Sequence, residues 1–171
     1  MYQKIGPYII RDWTMADAPS IAKYANNRKI WKNLRDAFPH PYGLQDAVDF
    51  LSRVTNESPR TVFAIATPSE AIGSIGLMIG RDVHLFTAEM GYWLAEPFWG
   101  QGIMTQAVKH VTKYAHRDLK LYRVFAEPYA TNTASSRVLE KAGFVLEGRM
   151  RSNAFKNGKI LDQLLYAYTR E

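Results

Sequence analysis

Apolar positions recur along this chain with two different periods, and the switches between them outline the elements. Tyr8-Ile9-Ile10-Arg11-Asp12-Trp13 is β-rich and reads as the end of a first strand. Thr14 then fits a helix N-cap, with Asp17 three residues on as a capping-box variant. Ile21, Tyr24 and Ala25 give that helix one apolar face, and Asn26-Asn27 suits its end. Ile30, Trp31 and Leu34 have helical spacing. Phe38-Pro39-His40-Pro41-Tyr42-Gly43 reads as a loop, and Leu44 to Val54 as a helix burying Ala47, Val48, Phe50 and Leu51. Thr61–Ala66, Ala71–Ile79 and Glu89–Leu94 read as strands joined by turns, an antiparallel meander. Ile103, Met104, Ala107, Val108, Val111 and Ala115 then return at helical spacing, with Lys109, His110, Lys113 and His116 on the other side. Leu121–Glu127 is a strand stopped by Pro128, and the strand–helix–strand order predicts a parallel crossover. Ser135–Ala142 is a short helix ended by Gly143, and a strand begins at Phe144–Glu147. Asn157-Gly158 marks a hairpin into a last strand, Ile160–Tyr168. With no repeat, low-complexity tract or linker, the expectation is one domain over residues 1–171.

The chemistry concentrates at Pro97-Phe98-Trp99-Gly100-Gln101-Gly102, the turn between a strand and a helix. Glycines let backbone approach a ligand closely, and the first N–H groups of a helix have no internal partner. Such a turn suits a phosphate or pyrophosphate. It is not a dinucleotide fingerprint, because Thr105 stands where the third glycine belongs and the turn lies past mid-chain. No G-K-[ST] follows a glycine run, so it is not a P-loop.

These residues resemble the coenzyme A loop of the GCN5-related N-acetyltransferases (GNAT), whose signature is [QR]-x-x-G-x-[GA]. Within that superfamily, "G-Y-W-L…W-G-x-G…T-x-A" resembles the branch of ribosomal-protein N-acetyltransferases (RimJ/RimL-like). A second stretch, Asn132 to Phe144, N-T-A-S-S-R-V-L-E-K-A-G-F, resembles that branch's "N-x-x-S-x-x-V-L-x-K-x-G-F". A third, W-x-N-L-R-D-x-F-P-H-P-Y followed by D-A-x-x-F, resembles its two-helix unit over the acceptor site. One departure is plain: Pro97 stands where the loop signature has Gln or Arg.

The resemblance implies an α/β (α+β) fold whose mixed, mostly antiparallel sheet is splayed between the fourth strand (Glu89–Leu94) and the fifth (Leu121–Glu127), with helices on both faces. It implies acetyl-coenzyme A (acetyl-CoA) as cosubstrate. The pyrophosphate would meet Trp99, Gly100, Gln101, Gly102, Ile103, Met104 and Thr105. The pantetheine arm would run along backbone at Trp93, Leu94 and Ala95, with Asn132 on its other side. Trp31, Phe38 and Tyr42 would line the acceptor. Glu89 would take a proton from the amine, through water. The family's tyrosine acid is replaced by Leu139, which points to Ser135, with Ser136 as alternative, for stabilising the departing thiolate. Each assignment has a plainer counterpart: a packed aromatic for the acceptor residues, an ion-paired carboxylate for Glu89, a helix cap for Asn132 and Ser135.

Composition narrows the remaining classes. The chain has 171 residues, 47% hydrophobic and 22% charged, ordinary values for a globular protein with a full core. No apolar run approaches the ~20 residues of a membrane span, and no signal peptide is visible. There is no cysteine, and the four histidines show no metal-ligand spacing, so thiolate and metal chemistry are not expected. Lys and Arg exceed Asp and Glu by 22 to 16, a net charge of +6 that suits anionic ligands. The reading is a cytoplasmic N-acetyltransferase, monomer or homodimer, acting on a protein N-terminal amine. Its alternatives are an acetyltransferase of small amines (polyamine, amino sugar or antibiotic), a coenzyme A-binding module without catalysis, and an RNA- or ribosome-associated protein. The last lacks basic runs and an RNP-like aromatic motif.

Overall fold

A computed structural model describes residues 1–170. It is a mixed α/β fold whose eight strands belong to an open, mostly antiparallel sheet. Strands β1 (Tyr2–Ile5), β2 (Tyr8–Arg11), β3 (Val62–Ala66) and β4 (Ala71–Ile79) precede β5 (Thr87–Leu94) and β6 (Arg123–Ala126), and β7 (Val145–Lys156) and β8 (Lys159–Thr169) complete the set. The helices are α1 (Ala18–Ala25), α2 (Arg28–Trp31), α3 (Leu44–Val54), α4 (Ile103–Arg117) and α5 (Thr133–Lys141). Contacts divide the described residues into two compact units, Met1–Gly76 with Tyr92–Ile103, and Leu77–Gly91 with the chain from Met104 on. Strands β4 and β5 each contribute to both units. No helix among the described residues is long and apolar enough to cross a membrane.

In the first unit β1-β2-β3-β4 pair in order, all antiparallel. The single first strand expected from Tyr8–Trp13 is a hairpin: β1 pairs with β2 through Gly6-Pro7, with Gly6 at φ +62°, and Trp13 lies past the strand's end. Its core gathers Trp13, Ile21, Ala25, Tyr42, Ala47, Leu51 and Val54, with Val48 and Phe50 packed against them. Helix α3 starts and stops where periodicity put it. The spacing of Ile30, Trp31 and Leu34 yields only one α-helical turn, α2, followed by a turn segment; Leu34 lies outside the helix.

The second unit carries strand order β5-β6-β8-β7. The expected parallel crossover is present, in the register Thr87↔Arg123, Ala88↔Val124 and Glu89↔Phe125. That register takes up the first three of β5's eight residues. Helix α4 buries Met104, Ala107, Val108, Val111 and Ala115 as the stripe predicts. His116 departs from the polar side assigned to it: its Nδ1 lies 2.8 Å from Leu121 O and its ring 5.4 Å from that of Tyr168. A carbonyl only accepts, so Nδ1 carries the proton. Asn157 (φ +51°) and Gly158 (φ +75°) turn β7 into β8.

The capping box read at Thr14 and Asp17 is also an ion-pair site. Asp17, only 6% exposed, takes two guanidinium bonds from Arg11, at 2.8 and 2.7 Å, and the Thr14 N–H at 2.9 Å. Burial pushes its carboxyl up, but the bonds from Arg11 and Thr14 together hold it below the usual carboxylate range. A carboxyl depressed in the folded state adds stability above its unfolded pKa of ~3.9, and loses it as pH falls through the folded value. Arg11→Met leaves this carboxylate buried without its cation, which should cost about 2–3 kcal/mol at neutral pH. The gap between variant and parent in urea denaturation should narrow as pH falls below the ordinary carboxylate pKa of ~3.9 and Asp17 takes up its proton. A gap independent of pH would show that Arg11 acts through packing alone.

Candidate functional site

The strand-to-helix turn is built by one-residue economies. After β5, a 3₁₀ turn at Glu96–Phe98 is closed by Phe98 N–H to Ala95 O at 3.0 Å and Trp99 N–H to Glu96 O at 3.1 Å. Gly100 (φ +76°) and Gly102 (φ +75°) then hold left-handed backbone, which L side chains rarely adopt. A Cβ on either would meet no protein atom within 4 Å. The room beside these glycines is therefore open. Helix α4 begins at once, and by helix geometry its first N–H groups have no intrahelical acceptor. Ile103 and Met104 bury their side chains, at 4% and 7% exposed, so only their backbone is offered to a ligand. Thr105 is half-buried on the first turn of α4.

Side chains hold the turn in shape. Trp99 Nε1 donates to Leu94 O at 2.7 Å, tying the turn back to β5, while much of its ring stays exposed. Gln101 Nε2 donates to Pro97 O at 3.3 Å, and Tyr8 Oη donates to Gln101 Oε1 at 2.7 Å. Phe98 packs edge-on against Tyr8 and Tyr24. Glu96 accepts from Asn27 Nδ2 at 2.8 Å and pairs with Lys29, whose bond, more than that of Asn27, holds the Glu96 carboxyl below its ordinary range. Polar support for the loop thus comes from Gln101, Tyr8 and Glu96, with a proline at position 97. Sequence reading missed these supports because Tyr8, Asn27 and Lys29 are far away in the chain.

The backbone of β5 divides its groups between two sides. Ala95 N–H is donated to Ile72 O of the segment that includes β4, at 2.8 Å. Trp93 O is 2.5 Å from where a Gly73 Cβ would stand, so Gly73 permits this close approach. Regular strand alternation predicts the Leu94 N–H on the opposite side. Of the three residues expected to meet pantetheine, Ala95 has its N–H committed to the sheet and Trp93 faces the same side with its carbonyl.

The expected acceptor residues are not equivalent. Trp31 lies over His40, ring centroids 5.6 Å apart, with the Arg28 guanidinium 5.8 Å from its ring. Phe38 touches Tyr42 at 4.9 Å and Trp93 at 6.0 Å. Tyr42 is 6% exposed and belongs to the core. Burial, reinforced by Asp46, pushes its hydroxyl up to about 12, so it stays neutral. Trp31 and Phe38 are half-buried.

In the second unit Glu89 is half-buried on β5, opposite Phe125. Its neighbours Ala88 and Met90 point into the core, and residues two apart share a face, so Glu89 and Gly91 lie on one side. A Cβ at Gly91 would meet nothing within 4 Å, so the backbone there is open on that side. Asn132 caps α5: its Oδ1 accepts from Ser135 N–H at 3.2 Å, leaving the amide NH2 as the part suited to a ligand. Ser135 is half-buried in the first turn of α5. Ser136 is buried beside Tyr166, and Leu139 is fully buried. Among the described residues, no three His, Asp or Glu gather as metal ligands.

Comparison with known proteins agrees with this reading of the fold. Residues 8–145 match the acetyltransferase (GNAT) domain family. The probable N-acetyltransferase YjcK of Bacillus subtilis (strain 168) is 45% identical over 107 residues, 61% of this chain and 59% of that protein. The ribosomal-protein-serine acetyltransferase of Escherichia coli (strain K12) is 37% identical over 106 residues, 62% of this chain and 59% of its own length. The chain thus matches less than two thirds of the length of these relatives. A solved structure of RimL, the ribosomal L7/L12 alpha-N-protein acetyltransferase, in complex with coenzyme A, superposes over 99% of this chain and 98% of its own, with TM-score 0.87 and 22% identity. That likeness concerns the fold. The match of the family over residues 8–145 settles the kinship, and the chain belongs to the acetyltransferase (GNAT) domain family.

Proposed function

We propose that this protein is a single-domain, cytoplasmic N-acetyltransferase that moves the acetyl group of acetyl-CoA directly to a protein N-terminal α-amine of the ribosomal-protein kind. The observation that carries the reading is the turn at Gly100 and Gly102, two left-handed glycines with open space beside them at the start of a 15-residue helix. A pyrophosphate fits such a place because unpaired N–H groups and the positive helix end both favour it. Trp99, Gly100, Gln101, Gly102, Ile103, Met104 and Thr105 form this part of the proposed site. The relative named as a ribosomal-protein-serine acetyltransferase supports the choice of acceptor.

In the proposed reaction the neutral amine attacks the thioester carbonyl. The C–N bond forms, the C–S bond breaks, and the thiolate of coenzyme A leaves. Glu89 takes the ammonium proton through water. The N–H of Leu94 is the donor to the tetrahedral oxyanion. Asn132 offers its amide to the pantetheine, and the Ser135 hydroxyl donates to the departing thiolate. Trp31 and Phe38 guide the acceptor, and Tyr42 holds Phe38 from the core side.

Calorimetric titration with acetyl-CoA, with ATP as control, tests the reading: selective binding of the thioester is expected, and its absence would overturn it. Gly102→Ala should cost the fold only about 1 kcal/mol, since the new Cβ meets no protein atom. The same variant should weaken acetyl-CoA binding roughly tenfold or more, because that Cβ occupies the ligand's side of the turn. Unchanged affinity would remove the turn from the site. Glu89→Gln should lower turnover most at pH values below the amine's pKa of ~8, where a proton must be taken, and least above it. An equal loss across the pH range would argue against Glu89 as the base.

A further inference from the structure

Strand β6 ends at Ala126, and Pro128 has no N–H to continue the ladder. The chain nevertheless stays in register with β8. Ala126 pairs with Tyr166, and three residues later Tyr129 bridges Gln163, three residues earlier on β8. Two backbone bonds hold this extension: Leu164 N–H to Pro128 O and Ala130 N–H to Asp162 O, both 2.9 Å. The third tie is a side chain. Gln163, 8% exposed, donates from Nε2 to Glu127 O at 2.8 Å. A carbonyl cannot donate, so this partner fixes which end of the amide faces it.

The other end of that amide is anchored by a bulge. Met150 pairs with Gln163 and Ala154 with Leu161, so Arg151, Ser152 and Asn153 stand opposite Asp162 alone. Asp162 holds the bulge, taking Ser152 N–H at 2.8 Å and Arg149 Nε at 2.7 Å, with Ser152 at φ +53°. The bulge carries Asn153, whose Nδ2 donates to Gln163 Oε1 at 2.9 Å. Backbone bonds would form with many residues at position 163. A buried amide engaged at both ends is a specific choice, and an apolar residue could not replace it.

The extension leads directly into the start of α5. Asn132 N–H is donated to Tyr129 O at 2.8 Å, and Asn132 Oδ1 caps Ser135. We propose that Gln163 is a positioning residue for cosubstrate binding: its amide fixes the exit of β6, and thereby Asn132 and the first turn of α5, against acetyl-CoA. This rests on the function proposed above, which gives Asn132 its ligand. Gln163 itself touches no substrate.

Gln163→Leu, Asn153→Leu and the double variant test it. Each is titrated with coenzyme A at a temperature where urea denaturation shows it folded, and assayed for acetyl-CoA and acceptor KM. Gln163→Leu should raise the coenzyme A Kd and the acetyl-CoA KM about fivefold, with acceptor KM unchanged, since one positioned hydrogen bond is worth about 1 kcal/mol. Asn153→Leu should move the same constants about threefold. The double variant should be no worse than Gln163→Leu, because both substitutions cut one chain of bonds. A folded Gln163→Leu with parental affinity overturns the proposal, as does an equal rise in both KM values. If Gln163→Leu does not fold, Asn153→Leu decides on the same criteria. A parent protein that binds no coenzyme A instead fails the underlying function, and that result is read before any variant is made.

Discussion

A helix that begins directly out of a turn leaves several N–H groups without acceptors, and the chain around α4 is arranged about that fact. The apolar side of α4 is needed in the core, with Val108, Val111 and Ala115 fully buried. Its first residues must therefore start where the core dictates. The chain between Leu94 and Ile103 has few residues in which to turn, and two left-handed positions accomplish it. Leaving the space above those positions clear turns a geometric necessity into a place for an anion.

Such a turn would be soft if backbone alone defined it. Its side-chain ties run to β5 through Trp99, to β2 through Gln101 and Tyr8, and to the entrance of α2 through Glu96 with Asn27 and Lys29. Exposed ion pairs add little stability singly. Here several weak ties converge on a few residues, and their value lies in fixing one conformation before a ligand arrives, which lowers the ordering cost of binding.

Much of this could be read from residues in order. The stripe of α4, the limits of α3, the caps at Thr14 and Asn132 and the Asn157-Gly158 hairpin are local, and local signals survive folding. The β1–β2 hairpin was hidden because Gly6-Pro7 interrupts a short apolar run that also reads as one strand. Tyr42 was expected to line the acceptor, with a packed aromatic as the plainer reading, and the loop folds it into the core. His116 looked polar by helical phase, yet Leu121 O captures its ring. The proposed site draws most on contiguous motifs, at Gly100–Thr105 and Asn132–Ser135, whose turn and cap geometry is local. The Gln163 tie joins residues 36 positions apart, and nothing nearby in sequence marks it.

The bulge on β7 also bears on how this chain can vary. Because three residues there face one, the outer strand absorbs a difference in length without passing it to β8. Insertions or deletions in the distal hairpin, toward Asn157, would alter that arm while the β6–β8 register stayed where it is. The hairpin can drift in evolution as an appendage, and the entrance to α5 is insulated from its history.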